Sequence, residues 1–397
     1  MAEYALVLNA GSSSLKFCVY QRAHDAWHTD VRGALEGLGR TPTLSARDDT
    51  GTPVVERALP SSVTDASAAI DVLGEWLRAR FGSVRVVAVG HRVVHGGTTF
   101  TGPVVVSPAV IAGMRNLVPL APLHQPFNIA AIEAAAARLP GVPQVACFDT
   151  SFHNDRAPVT RVVPLPREVC GDHIQRYGFH GLSYEYIASV LPEVAPSVAD
   201  RRVIVAHLGS GASLCAMHNR RSVDTTLGFT ALDGLCMGTR PGAVDPGVIL
   251  YLFQNLGLSA KEVEAILYKR SGLLGISGSS NDMRELLASG TPEARLAVDY
   301  FVHRAVKEIG ALTAVLGGLD ALVFTAGIGE RSAAIRDRIC AGCAWLGVQI
   351  DDALNGQNAT RISQADSRVP VWVIPTDEEL MIARHMTRVL GLAGAHT

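Results

Sequence analysis

A chain of 397 residues is long enough for two or three domains, each with its own core. A net charge of −2 with no block of like charge argues against a nucleic-acid or membrane-surface binder. With no apolar run of 18 residues and an N-terminus that enters a strand almost at once, neither a transmembrane helix nor a signal peptide is expected, and a cytoplasmic enzyme is the default.

Residues 1–20 read as a hairpin. Ala5-Leu6-Val7-Leu8 runs into Asn9-Ala10-Gly11-Ser12-Ser13-Ser14, and Leu15-Lys16-Phe17-Cys18-Val19-Tyr20 returns. Residues 28–60 are polar and turn-rich, as the outer part of a sheet would be. Thr64 to Arg80 has helical periodicity, with Thr64 or Asp65 as its cap. Val84 to Val89 is a buried strand ending in Gly90-His91-Arg92-Val93-Val94-His95-Gly96-Gly97. An arginine at that edge suits an anionic ligand, although a structural arginine holding a loop carboxylate fits the same pattern. His91 and His95 lack the glutamate of a helical zinc motif.

Pro126 to Leu139 is an alanine-rich helix. Val142 to Phe148 is a strand delivering Asp149-Thr150-Ser151-Phe152-His153. An aspartate there is a catalytic or metal-organising candidate, or equally a turn-forming residue. Arg176-Tyr177-Gly178-Phe179-His180-Gly181-Leu182-Ser183 places His180 just before a helix that Ser183 is expected to cap. By itself, a lone histidine is as readily structural.

Val203 to Ala206 then runs into His207-Leu208-Gly209-Ser210-Gly211-Ala212-Ser213, and the chain is apolar again through Met217. Two glycines and two serines let backbone approach a phosphate and offer it donors. Aligning Asn9 with His207 pairs Gly11 with Gly209 and Ser12 with Ser210. A strand–turn–strand unit repeated at half the chain length suggests two related domains facing one nucleotide.

A Gly- and Pro-dense loop, Leu235 to Gly247, would hold Arg240 at low entropic cost for anion binding, although a solvated loop arginine fits the same pattern. Val248 to Gly257, Ala260 to Arg270 and Thr291 to Leu316 read as helices, and Asp282-Met283-Arg284 follows a Gly/Ser-rich stretch. Leu319 to Thr325 is a strand running into a glycine turn, Gly327-Ile328-Gly329-Glu330, with a helix from about Ser332. The last strand, Val371 to Ile374, precedes a helix for which Thr376 and Glu379 make a capping box, leaving Glu378 for a metal or simply as negative charge at the helix N-terminus.

Of the seven cysteines most lie in apolar surroundings, as reduced buried thiols do; Cys340 and Cys343 form an unmatched CxxC read as two turn-spaced thiols at a helix end. No Gly-Lys dipeptide, GxGxxG, HRD or DFG occurs. A bound nucleotide must therefore rely on the two hairpins and the separate glycine turn.

Seven stretches together resemble the acetate kinase family: Asn9 to Lys16, His91 to Gly97, Phe148 to Thr150, Tyr177 to Gly181, His207 to Gly211, Gly238 to Gly242 and Gly327 to Glu330. They occur in family order and span nearly the whole chain. The resemblance implies an α/β fold of duplicated actin/Hsp70/sugar-kinase-like (ribonuclease H-like) domains flanking a nucleotide cleft. Residues 1–150 would form the first domain, completed by a C-terminal helix 383–397, and residues 151–382 the second. It implies a homodimer and reversible Mg²⁺-dependent phosphoryl transfer (Mn²⁺ able to substitute) between ATP and acetate, giving acetyl phosphate and ADP.

Carried onto this sequence, the resemblance puts Mg²⁺ on Asn9 and Glu378, and the phosphate path along Ser12, Ser14 and Lys16. Arg92 would bind the carboxylate. Arg240 would hold both that carboxylate and the transferring phosphoryl group, His180 would stabilise the equatorial oxygens, and Asp149 would position the nucleophile or a metal-bound water. Val94, Leu123, Phe179 and Ala231 would form the acyl pocket. ATP would contact Lys16, His207, Leu208, Gly209, Ser210, Gly211, Asp282, Met283, Arg284, Gly327, Ile328, Gly329, Glu330 and Arg331. Three positions depart from the family pattern: Ser210 stands for Asn, Arg331 for Asn and Ala231 for Pro. The smaller Ala231 leaves room for one more methylene, which makes a propionate- or butyrate-preferring kinase the nearer alternative. A non-catalytic actin-like ATP-binding protein is the farther one.

Overall fold

The computed structural model describes residues 2–23, 26–82 and 85–392. Val84, expected to open a strand, and residues 393–397 of the expected last helix lie outside them. The chain divides into two compact units, Met1–Ser151 with Asp377–Thr397, and Phe152–Thr376. The return to the first unit thus comes at Asp377, ahead of the expected 383.

The first unit is built on an eight-stranded sheet in the order β5-β4-β3-β2-β1-β6-β8-β7. Its strands are β1 Glu3–Ala10, β2 Ser14–Ala23, β3 Ala26–Glu36, β4 Thr43–Asp48, β5 Pro53–Ala58, β6 Arg85–Val93, β7 Val104–Val105 and β8 Gln144–Phe148. β1 pairs antiparallel with β2 and parallel with β6, which pairs parallel with β8. The polar stretch 28–60 forms the outer meander, whose alternating exposure reflects one covered face. Helix Ala66–Phe81 starts where Asp65 accepts a hydrogen bond from the Ala68 amide, and it packs Ala69, Ile70 and Leu73 into the same core as Leu8, Leu15, Phe17 and Leu35.

The second unit has a five-stranded sheet, β11-β10-β9-β12-β13, made of β9 Val203–Leu208, β10 Ala212–His218, β11 Arg221–Thr225, β12 Ala321–Thr325 and β13 Val371–Val373. Here too the hairpin's first strand, β9, pairs antiparallel with the second and parallel with a later strand, β12, which pairs parallel with β13. The run β11-β10-β9-β12-β13 therefore repeats β3-β2-β1-β6-β8 in order and in direction. Within the repeat, Asn9 faces Lys16 and His207 faces Ser213. Helix Pro292–Leu316, capped by Thr291 and ended by a left-handed Gly317, covers this sheet.

Three local expectations fail. Gly327 to Glu330 is no turn: β12 passes directly into helix Ala326–Arg331, and a second helix, Ala333–Gly342, follows Ser332. Helix Gly181–Val194 is preceded by His180, and Ser183 lies inside it bonding His207 Nδ1 at 2.8 Å instead of capping. The last helix, Glu378–Leu390, is capped by Asp377, which accepts from the Leu380 amide, so the Thr376–Glu379 box does not form. No helix of the described residues is long and apolar enough to cross a membrane. No disulfide forms among the described residues, six of the cysteines are buried, and burial pushes the Cys343 thiol up to about 12 and Cys340 higher still.

Candidate active site

In the first unit, four predicted residues meet at one guanidinium. Arg92 sits near the C-terminal end of β6. Its Nε donates to Asp149 Oδ1 at 3.0 Å, its Nη2 donates to Asp149 Oδ2, and its Nη1 reaches Asn9 Oδ1 at 3.3 Å. Glu378 Oε2 lies 3.3 Å from Nε. Asp149 gets there because β8 ends at Phe148, with the Asp149 amide bonded to the Val93 carbonyl at 3.0 Å. Asp149 is buried, and burial pushes its carboxyl up; Arg92 pulls against this and Glu378 adds to it.

A residue not singled out from the sequence holds the strand ends together. Buried Asn128 donates to the Ala10 carbonyl at 2.8 Å and accepts from the Val94 amide at 3.1 Å. It thereby fixes Asn9 beside Arg92. His91 and His95 are also buried. His91 Nε2 bonds Gln144 Oε1 at 2.5 Å, and His95 Nδ1 accepts from the Gly97 amide at 2.9 Å. His91 thus ties β6 to β8 and His95 braces the following loop, and no cluster of three or more metal-binding side chains occurs among the described residues. Val94 is buried and Leu123 half-buried. Ser12 is exposed at the turn, with the Gly11 amide bonded to the Ser14 carbonyl. Lys16 lines a cavity of about 390 Å³ with Arg32, Arg47, Glu56 and Glu379.

In the second unit, the turn Gly209–Gly211 is the meeting point. The Gly238 amide donates to the Ser210 carbonyl at 3.0 Å, which ties the Arg240 loop to the hairpin. That loop is rigid for a specific reason: the amides of Ser271, Leu273 and Leu274 donate to the carbonyls of Thr239, Met237 and Gly238. Close approach demands glycine at 272, where φ is +65° and a Cβ would lie 2.1 Å from the Met237 carbonyl oxygen. Arg240 Nη1 donates to the Ala231 carbonyl at 2.7 Å. Its Nη2 reaches over Gly211, where a Cβ would lie 2.6 Å from Nη2 and 3.3 Å from His180 Nε2.

His180 adopts φ +58°, a left-handed conformation that is costly for a non-glycine residue. Its surroundings impose it. Arg156 donates to the carbonyls of Arg176 and Tyr177, the Tyr177 and Gly178 amides both donate to the Gly228 carbonyl, and His153 Nε2 donates to the Phe179 carbonyl at 3.0 Å. His153 stays neutral, since burial and the nearby Arg156 charge push it down to about 3. His180 then stacks on His207 with centroids 4.2 Å apart, and its Nδ1 bonds Ser213 Oγ at 2.8 Å. Phe179 is buried and Ala231 half-buried.

Helix Ala326–Arg331 packs on the same turn: a Cβ at Gly209 would lie 3.7 Å from Ala326 Cβ. Glu330 commits Oε1 to the amides of Ala326 and Thr376, at 2.8 and 3.1 Å, so it braces the motif. Arg336, wholly buried, donates to the carbonyls of Gly329 and Glu330 at 2.9 Å. Asp282 caps helix Met283–Ser289 and pairs with the exposed Arg284; Ser210 and Arg331 are exposed too. Asn128, His153, Arg156 and Arg336 were invisible in the sequence because their partners are set by tertiary packing.

The model of the Acetokinase family matches residues 4–384. An acetate kinase of Rhodopseudomonas palustris is 53% identical over 395 residues, covering 98% of this chain and 99% of the relative. The crystal structure of Porphyromonas gingivalis acetate kinase superposes with a TM-score of 0.87 at 37% identity, covering 98% of this chain and all of the other. That of a propionate kinase from Francisella tularensis gives 0.89 at 37% identity, covering 96% and 98%.

Proposed function

We propose that this chain, which belongs to the acetokinase family, transfers the γ-phosphoryl group of ATP to acetate, giving acetyl phosphate and ADP, and runs the reaction in reverse. The observation that carries this reading is the convergence of Arg240 Nη2 and His180 Nε2 over Gly211, which has no side chain to obstruct a phosphate.

The chemistry asks little of a general base. A carboxylate oxygen attacks phosphorus in line, the new O–P bond forms as the bond to the bridging oxygen of ADP breaks, and no proton need move. The obstacle is charge: two anions must approach, and the equatorial oxygens of the transition state must be stabilised. Arg240 and His180 meet that need at the phosphoryl group. Arg92 takes the acetate carboxylate. With Nε and one N–H on each Nη engaged by Asp149, Glu378 and Asn9, one N–H on each Nη remains, the fork that a carboxylate accepts. Asp149 holds that guanidinium in register.

Asn9 and Glu378 offer an amide and a carboxylate oxygen within reach of one guanidinium. This hard, oxygen-only set suits Mg²⁺, which takes one or two protein oxygens and leaves the rest to water and phosphates. When bound, Mg²⁺ would neutralise phosphate charge. Glu330, read from the sequence as an ATP contact, has a bracing part in this scheme, and the backbone of 209–211 and 326–329 lines the nucleotide.

Substrate preference turns on Ala231. Its small side chain and the likeness to a propionate kinase support appreciable use of propionate beside acetate. We infer a homodimer in the cytoplasm, with the exposed Val248, Leu250, Tyr251 and Leu256 as the self-association surface; Leu250→Glu should yield monomer by light scattering. The decisive experiment mixes protein, ATP and Mg²⁺ with acetate, propionate or butyrate and traps acyl phosphate as hydroxamate. Product with acetate supports the kinase, and propionate within tenfold of acetate in kcat/KM supports the Ala231 reading. No product with any acid from an ATP-binding protein would refute both and favour a non-catalytic ATP-binding role.

A further inference from the structure

Behind His180 lies a chain of hydroxyls that the phosphoryl-transfer scheme does not use. Tyr184, one helical turn beyond His180, has its phenol OH against Ser213 Oγ, and Ser213 Oγ bonds His180 Nδ1 at 2.8 Å. Tyr184 and Ser213 are completely buried. We propose that Ser213, oriented by Tyr184, is a positioning residue that fixes His180 as the neutral tautomer donating from Nε2. The inference rests on the reading of His180 as a phosphoryl contact.

The argument is an inventory of hydrogens. Each hydroxyl carries one hydrogen, and a neutral imidazole carries one. Among the described residues, the bonded partner of the Tyr184 hydroxyl is Ser213, and those of the Ser213 hydroxyl are Tyr184 and His180. If Tyr184 donates to Ser213 and Ser213 donates to Nδ1, both hydroxyl hydrogens are accepted and the ring proton sits on Nε2. If Nδ1 instead carries the proton, it donates to Ser213. Ser213 must then donate to Tyr184, which strands the phenol hydrogen, or keep its own hydrogen stranded. A buried hydroxyl hydrogen with no acceptor disfavours that arrangement by about tenfold or more. The phenol cannot escape by ionising, because burial pushes it well above its ordinary value.

The consequence lies on the other side of the ring. Nε2 is the atom 3.3 Å from the position a Gly211 Cβ would take, beside Arg240 Nη2. A ring protonated on Nδ1 would aim a lone pair at an incoming phosphate. The tautomer set by Ser213 aims an N–H there, without requiring the imidazolium stacked against His207 at 4.2 Å.

The test uses full-length protein labelled with ¹⁵N-histidine, with His180 identified by comparison with His180→Gln. In the wild type at pH 8 the proton should sit on Nε2, with Nδ1 shifted as an acceptor. Tyr184→Phe should keep that tautomer, because Ser213 still donates. The double variant Ser213→Ala/Tyr184→Phe removes both hydroxyls and strands no hydrogen, so it should fold. In it the Nδ1 acceptor signature should vanish and an Nδ1–H population appear. Its kcat should fall about three- to tenfold with the KM for ATP unchanged, the loss expected of one weakened hydrogen bond. A wild-type ring protonated on Nδ1, or a double variant with unchanged ¹⁵N shifts, would overturn the proposal. The shifts report on the relay even if no acyl phosphate forms, so failure of the kinase reading stays separate.

Discussion

Replacing Arg336 by Met tests whether the nucleotide-side helix is held in place by a single buried cation. Arg336 makes five hydrogen bonds: Nε to Asn355 Oδ1, Nη1 to the carbonyls of Gly329 and Glu330, and Nη2 to the Asn355 carbonyl and Asn358 Oδ1, all between 2.7 and 2.9 Å. None of these acceptors is a carboxylate, so the charge is balanced by dipoles alone, and burial pulls the guanidinium below its usual range. Two effects of the change oppose each other. Removing the cation relieves the cost of burying it. Met fills much of the same volume but leaves the carbonyls of Gly329, Glu330 and Asn355 and the Asn355 amide oxygen without donors, at about 1–3 kcal/mol for each acceptor that stays dry.

Asn358 is exposed and rewets readily; Asn355 is buried and does not. The stranded acceptors outweigh the relief, and the net destabilisation should be about 3 kcal/mol. It should fall on the unfolding of the unit Phe152–Thr376. Because Gly329 and Glu330 belong to helix Ala326–Arg331, ADP affinity should drop as well. Urea unfolding followed by far-UV circular dichroism, with ADP titration by calorimetry, measures both. Stability within about 0.5 kcal/mol of wild type, with ADP affinity unchanged, would refute the reasoning.

The two site arginines should behave differently. Arg240→Ala should lower kcat at least about a hundredfold, the scale of losing a donor to developing charge, and leave the melting temperature nearly unchanged; near-normal turnover would count against the assignment. Arg92→Ala should lose activity and also cost about 3 kcal/mol in a melt, because it strands the buried Asp149 carboxylate. An unaltered melt would refute that part of the reasoning. Acid should destabilise the first unit through His91, whose burial lowers it to about 4. Between pH 6.5 and 4 the unfolded chain binds this proton and the folded one does not, so stability falls as pH drops through that window. His91→Gln should shrink the loss between pH 7 and 5 by about 2 kcal/mol; the same loss in both proteins would contradict it.

What the sequence made legible was local. Both hairpins announce themselves through apolar runs broken by Gly and Ser, and the matching neighbours of β1 and β9 extend that likeness to the surrounding strands. What misled was also local. Gly327-Ile328-Gly329 has poor helix propensity and reads as a turn, yet Glu330 bonds the Ala326 amide and Arg336 holds the far end, so packing overrides propensity. Thr376 satisfies the spacing of a capping box, but its amide is committed to Glu330 and Asp377, one residue later, caps the helix.

The arginines show why a residue's type and neighbours do not disclose its role. Arg92 and Arg240 lie at strand and loop ends; Arg156 and Arg336 lie near equally suggestive motifs and are just as cationic. Partners make the difference. Arg336 gives its donors to carbonyl and amide oxygens and is wholly buried, so nothing remains for a ligand. Arg156, also buried, grips the carbonyls of His153, Arg176 and Tyr177 and pairs with Asp224 at 3.5 Å. Arg92, by contrast, is bound mainly by carboxylates and is only half-buried. A carboxylate-held guanidinium is aimed and charge-balanced before substrate arrives, and its remaining N–H groups can meet an anion without reorganising. One that is buried among its partners, as Arg336 and Arg156 are, can only position its neighbours.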